Sequence, residues 1–411
     1  MNAAITAIPG PDGPDEARLP LLAGLHIDLA RPGVRVVHPA DAAYAIVANE
    51  LAAALAAATG ATPAVIVETE PRSWQGAGPV VVLGNLMESE LVRRLYFEAY
   101  DFTDHAFPGP GGYALRTIGA PWDAGAPVLL VGGSEVAGVR AAAERLAARV
   151  RDHGPGFGYL NEVRPGQWAD AGSLDLVRYL GPDDAVWERV GQSGSWDYMD
   201  NIAKCGTGYL RTGDERYLER FQRELHHFIA HDVFHPNPEA RPMLHGRMYV
   251  LIMVWDLICD HPRFTAAERR RVDAMLLHVA ESDEGTAQIA EISATRAVRY
   301  NHHTRSGLDA FFAGRFFARR YGLPEAQAWL ATAERLFAPQ LASAKPACDS
   351  WGHQWAASLF NTLVYALATQ RTDYLAAPAF RQAADRALIA YGRGAPRHYL
   401  SACAVATGDT G

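Results

Sequence analysis

Two stretches of this chain, RMYVLIMVWDLI (247–258) and AASLFNTLVYAL (356–367), are apolar nearly all the way round. A helix of that kind has no face to offer water and must be buried on all sides. Between and around them run stretches of the opposite kind. DERYLERFQRELHHFIAH (214–231) puts Leu218, Phe221, Leu225, Phe228 and Ile229 on one face at helical spacing. The period predicts helices near 195–212, 214–231, 242–260, 265–282, 304–321, 324–341, 352–369 and 376–392, the fourth opened by the capping box Thr265-Ala-Ala-Glu268. Fully apolar helices alternating with half-exposed ones describe an inner and an outer layer, and the expected architecture is an all-α (α/α) toroid. Eight helices fall short of a ring closed by six hairpins, and the end SACAVATGDTG has no capping element. The toroid is therefore expected to be incomplete at the C-terminus.

The residues before it follow another pattern. VRVVHP (34–39), TPAVIVE (62–68) and PVVVLG (79–84) read as strands, as do segments near 112–118 and 127–132. They alternate with helices at 42–58, capped by Asp41 and closed by Gly60, at 86–97 and at 134–152. This is the pattern of a small α/β layer domain. The turn GGSEVAGVRAAAERL (132–146) lacks the full GxGxxG and a following acid, so it reads as a tight turn and not a phosphate site. Residues 1–20 are expected to be a disordered lead-in, 21–152 the α/β domain, 153–172 a Gly/Pro-rich linker and 173–411 the α/α-toroid catalytic domain.

Composition removes several classes. Of 38 basic residues only Lys204 and Lys345 are lysines, no basic run exceeds three, and the net charge is −8, so no nucleic-acid partner is expected. Cys205, Cys259, Cys348 and Cys403 lie far apart with no metal spacing, which predicts reduced or buried thiols and no metal or other cofactor. No stretch reaches about 18 uninterrupted apolar residues, and no membrane partner is expected. The N-terminus has neither a basic nor an apolar signal region. As it stands the chain reads as cytoplasmic; a longer true N-terminus would make it secreted or periplasmic.

In a toroid the inner helices run parallel and open on one face, where unpaired backbone N–H groups favour anions. Polar and aromatic clusters mark each expected inner start: Trp196, Asp197, Tyr198 and Asn201; His245, Arg247 and Tyr249; Tyr300, Asn301, His302, His303 and Arg305; Trp351, His353, Gln354 and Trp355. Indole, phenol, imidazole and amide together suit a sugar, which stacks on aromatics and hydrogen-bonds through its hydroxyls. Each cluster also has a plain structural reading. The His302–His303 pair is equally a cap or a wall residue, Trp351 and Trp355 are equally core, and Tyr198 is equally a structural hydrogen-bond donor. His226, His227, His231 and His235 read as outer-layer surface.

At RYNHHTRSGLDAFFAGRFFARRYG (299–322) and ACDSWGHQWAASLFNTLVYAL (347–367) the chain resembles the heparinase II/III-like, alginate lyase-related α/α-toroid polysaccharide lyases, over roughly 175–400. Its first part, with VVLGN, GYALR and VLLVGG, resembles the noncatalytic α/β domain that precedes the catalytic domain in α-glucuronidases and β-hexosaminidases. The lyase resemblance implies β-elimination on a uronic-acid-containing glycan, with an acidic polysaccharide or oligosaccharide as partner. It assigns Asn301 and His302 to the substrate carboxylate, where they would stabilise the enolate-like intermediate. It makes His353 the base. Where the heparinase-like pattern has a tyrosine after Asp349, this chain has Leu359 and Phe360. Tyr365 lies too deep, about three helical turns below His353 at roughly 1.5 Å per residue. The acid then falls to Tyr249, Tyr198 or Tyr300, with Tyr249 placed in the catalytic set. Two alternatives stay open: a glycoside hydrolase on the same toroid, using a carboxyl pair from Asp197, Asp200 and Asp349 about 6.5–9.5 Å apart for inversion, and a noncatalytic carbohydrate-binding fragment.

Overall fold

The computed structural model describes residues 15–68, 76, 78–122, 125–167, 198–233, 248–281, 301–343 and 359–392. The first region is an α/β layer. Strands β1 (Ile27–Asp28), β2 (Arg35–His38), β3 (Ala64–Val67), β4 (Val80–Gly84), β5 (Tyr113–Ile118) and β6 (Val128–Gly132) alternate with helices α1 (Ala42–Thr59), α2 (Glu90–Phe97) and α3 (Val136–His153). Asp41 caps α1 by accepting the Ala43 N–H at 2.7 Å, and Gly60 closes it at φ +73°, a left-handed turn that glycine adopts without strain.

Two further strands, β7 (Gly156–Phe157) and β8 (Asn161–Arg164), lie in the segment expected to be a linker. β8 completes a six-stranded sheet of order β3-β2-β4-β6-β5-β8, in which β3, β2, β4 and β6 are parallel and β5 is antiparallel to both neighbours. Backbone pairing with β5 overrides the glycine- and proline-rich composition, so the boundary at 153 is corrected to lie beyond Arg164. The lead-in is corrected as well. Its described end forms a turn, Glu16–Arg18, with Leu19 buried and Arg18 bonded to Glu281 at 2.6 Å.

Alternation along the central strands divides them between two cores. Val36, Val81, Leu83, Leu115, Leu129 and Val131 face the apolar stripes of α1 and α3, including Val47, Leu51, Leu55, Val139 and Leu146. α1 is the one described helix with the length and composition of a membrane span. Val37, Val80, Val82, Ile118, Val128 and Leu130 face the other way, where α2 and the helical region close over them in one continuous core.

That helical region comprises α4 (Tyr198–Thr212), α5 (Glu215–His227) with a π turn at Phe228–Val233, α6 (Met248–Ile258), α7 (Ala266–Glu281), α8 (Asn301–Tyr321), α9 (Pro324–Ala342), α10 (Asn361–Ala368) and α11 (Pro378–Gly392). Each of the eight expected helices is present. The face read from the sequence of α5 is buried from Leu218 to Ile229. The capping box closes both ways: Thr265 N–H donates to Glu268 at 2.8 Å and Glu268 N–H to Thr265 Oγ1 at 3.2 Å. Alternate helices pack side by side, α4 on α6, α6 on α8 and α8 on α10, while α5, α7 and α9 flank them. No residue of α6 is exposed, although Tyr249, Val250, Met253 and Asp256 are only half-buried.

The two regions are joined through polar contacts as well as the shared core. Arg116, fully buried, pairs with Asp101 at 2.9 Å and donates to the Leu210 carbonyl at 2.7 Å, tying β5 to α4. Arg315 of α8 donates to the Glu98 carbonyl at 2.7 Å and stacks over Tyr100 and Phe312. Arg319 reaches the Gly119 carbonyl and the Asp256 carboxylate. Near the end of α8, Asp273 accepts from Trp255 Nε1 at 2.6 Å and from the Tyr321 hydroxyl, and burial pushes its carboxyl up to about 6.

Candidate functional site

Parallel sheets commonly hold ligands at the carboxyl ends of their strands, where the strand order reverses. Here that point lies between β2 and β4, and the described polar side chains around it bond to the chain itself. Asn85, buried directly after β4, donates to the Gly133 and Ser134 carbonyls at 3.1 and 3.2 Å and accepts from the Met87 and Glu88 amides. All four of its hydrogen-bonding directions end on backbone. Glu68, after β3, accepts from Ser89 Oγ and from the Glu90 amide, while burial still holds its carboxyl above the usual range. The glycine turn after β6 has a packing cause. A Cβ on Gly133 would stand 2.5 Å from the Val139 amide, and one on Gly138 would stand 2.2 Å from the Gly112 carbonyl. These glycines let α3 approach the preceding loops, as the tight-turn reading expects.

Polar groups gather differently along α4, α6, α8 and α10. Tyr198, at the start of α4, is buried and donates its hydroxyl to Glu224 at 2.9 Å, and the same carboxylate accepts from Arg220 at 2.8 Å. Its ring meets His227 edge-on. The hydroxyl is thus bonded inside the α4–α5 hairpin, the structural alternative for this residue. Asn201, one turn on, is half-buried and accepts from Lys204 at 3.1 Å. His226 sits between α5 and α7, 3.7 Å from Glu268, with its pKa lowered by burial.

The described part of α8 begins at Asn301, so Asn301, His302 and His303 are already helical, three residues earlier than the period alone predicts. His303 and Thr304 are fully buried, whereas His302 and Arg305 remain partly accessible. Two buried side chains tie the neighbouring helices to this one. Asn361 of α10 donates to Thr304 Oγ1 at 2.8 Å, and Asp309 of α8 accepts the Tyr249 N–H at 2.8 Å. Asn361 of α10 therefore lies beside the Asn301 end of α8, and Tyr249 of α6 beside its third turn. Tyr249 is half-buried, its ring stacked on Phe312 with centroids 6.2 Å apart.

The structure thus brings Tyr249, His302, His303 and Arg305 onto adjoining helices. Tyr198 and Asn201 lie on α4, the next helix of the row. Tyr365 is buried and donates to Glu334 at 2.7 Å, with its ring stacked on Phe337. Trp196, His245, Arg247, Trp351, His353, Gln354 and Trp355 lie outside the described residues, as do Asp197, Tyr300, Asp349, Cys348 and Cys403. Cys205 and Cys259 are free and buried, and burial pushes the Cys205 thiol up to about 12. Among the described residues no cluster of three or more His, Cys, Asp or Glu side chains is placed to hold a metal.

The sequence reading missed Asp309, Thr304, Asn361 and Glu224. Asp309 and Asn361 carried a signal: each is the single strongly polar side chain in an otherwise apolar run, GLDAFFAG and SLFNTLVYAL. A polar group so placed must find a partner or be left out of the helix. Compared with family models, with curated proteins and with solved structures, the chain matches none.

Proposed function

We propose that this protein is a polysaccharide lyase that cleaves a uronic-acid-containing glycan by β-elimination, on an arc of an α/α toroid whose inner helices are α4, α6, α8 and α10. The observation that carries the reading is the pair of buried links, Asp309 to Tyr249 and Asn361 to Thr304, which tie α6 and α10 to α8, the helix that carries Asn301, His302 and Arg305. Along α8 the residues His302, Arg305, Asp309 and Phe312 follow the spacing of one helix face, and Tyr249 packs against its lower half.

In this reading the first turn of α8 receives the uronate carboxylate through Asn301, His302 and the helix N-terminus. Neutralising the carboxylate makes the C5 proton acidic enough for His353 to remove. Electrons from the C5–H bond form the C4–C5 double bond, the C4–oxygen bond breaks, and the leaving oxygen takes a proton from Tyr249. The product carries an unsaturated uronate that absorbs in the ultraviolet, which hydrolysis does not create.

The test is to incubate the full chain with a panel of uronate polysaccharides while following that absorbance, beside His353→Ala. A rise that the variant abolishes supports elimination with His353 in it. New reducing ends without absorbance would move the reading to hydrolysis by carboxylates. No cleavage by either assay, with retained glycan binding, would leave a binding module.

A further inference from the structure

Asp309 is buried in the third turn of α8, with 8% of its surface exposed. It accepts the backbone N–H of Tyr249, the second described residue of α6, at 2.8 Å. The two residues stand 60 apart in sequence and on different helices. A bond from a side chain of α8 to the backbone of α6 fixes how far α6 can slide and turn against α8. Phe312, three residues further along α8, stacks on the ring of the same Tyr249, with planes 27° apart. One residue is therefore gripped by its backbone and by its ring, from two side chains on one face of α8.

We infer that Asp309 is a positioning residue that sets the height and rotation of α6, and with it Tyr249, against the face of α8 that begins at His302. Its catalytic meaning rests on the lyase reading; its structural role does not. Burying a carboxyl inside a helical row is costly unless its bonds are made, so an apolar residue here would pack more favourably while removing the acceptor that joins α8 to the Tyr249 N–H. Asp309 makes no direct contact with the glycan in this account, which separates it from Asn301, His302, His353 and Tyr249.

The experiment uses the full chain with Asp309→Ala and Asp309→Asn, since asparagine keeps an oxygen that can accept the same N–H. Two readouts are taken: amide hydrogen exchange of peptides covering the start of α6 and the central strands, and steady-state kinetics on the polymer that the parent cleaves. Asp309→Ala is expected to speed exchange at the start of α6 by about tenfold while β4 and β6 stay protected. It should lower kcat by about 100-fold with KM within about threefold, because a misplaced group costs most in the transition state. Asp309→Asn should recover most of both. Parent-like exchange and kcat in the alanine variant would overturn the inference, as would failure of the asparagine variant to recover them while its sheet stays protected. Should the alanine variant unfold throughout, the asparagine variant decides alone by the same two criteria. Should the parent produce no unsaturated product, the lyase reading falls, and exchange at α6 still decides whether Asp309 holds that helix.

Discussion

The carboxyl end of the sheet and the row of helices α4, α6, α8 and α10 both bury polar side chains, yet they use them in opposite ways. Asn85 ends all its hydrogen bonds on the backbone of adjacent loops, and Gly133 and Gly138 draw α3 against the same loops. Asp309 and Asn361 instead bond from one helix to another, so they set where helices stand relative to each other and leave His302 and Arg305 partly accessible beside them. Polar atoms that terminate locally seal a fold, whereas those that bridge elements align one face with the next. That contrast is why the helical region and not the sheet carries the proposed chemistry.

The contrast breaks most visibly through activity. His302→Ala and His353→Ala are each expected to lower the elimination rate by about 10²–10⁴-fold, the usual share of a positioned proton-transfer or charge-stabilising group. Asn85→Ala should leave the rate per folded molecule unchanged. A loss of rate on the sheet side, measured at saturating substrate, would undo the division of labour.

Next in size is the joint between the regions. Arg116→Ala strips the partner from buried Asp101 and frees the Leu210 carbonyl, so it is expected to destabilise the fold by about 3–5 kcal/mol in denaturant titration. A loss confined to the helical probes, with the sheet unaffected, would show that the shared core does not couple the two.

Asp273 supplies a pH signature. Its carboxyl titrates near 6 in the folded chain, above its unfolded value, because burial disfavours the charged form. The stability it contributes is fully present below the unfolded pKa and is lost as pH rises through about 6. Asp273→Asn, which keeps an acceptor for Trp255, should therefore gain on the parent by about 3 kcal/mol between roughly pH 4 and pH 7. The charge of Arg320, near the end of α8, opposes the upward shift of the Asp273 carboxyl, and a pH-independent difference would mean that it and the two hydrogen bonds already hold the carboxylate charged. Asn85→Ala follows at about 2 kcal/mol, from the amides and carbonyls it leaves bare. The smallest effect belongs to the exposed Arg140–Glu50 pair between α3 and α1, where Arg140→Ala should cost less than about 1 kcal/mol.

Much of the fold was legible in the residues because its signals are local. The apolar period of α5, the Asp41 and Gly60 ends of α1 and the Thr265–Glu268 box all depend on neighbours within one or two turns, and each element stands where the pattern put it. β8 was not legible, since Asn161–Arg164 becomes a strand only by pairing with β5, some 45 residues away. Of the candidate residues, Tyr249, His302 and Arg305 fall on adjoining helices, while Tyr198 turns into its own hairpin toward Glu224, a direction that depends on the tertiary position of α5.

By itself the sequence determined the helices and the strands β2 to β6, because period and capping act within a few residues. Only the tertiary structure decided which polar groups meet. The bonds from Asp309 to Tyr249, from Asn361 to Thr304 and from Arg116 to Leu210 join residues 57 to 94 positions apart. Their formation depends on packing that no local pattern encodes.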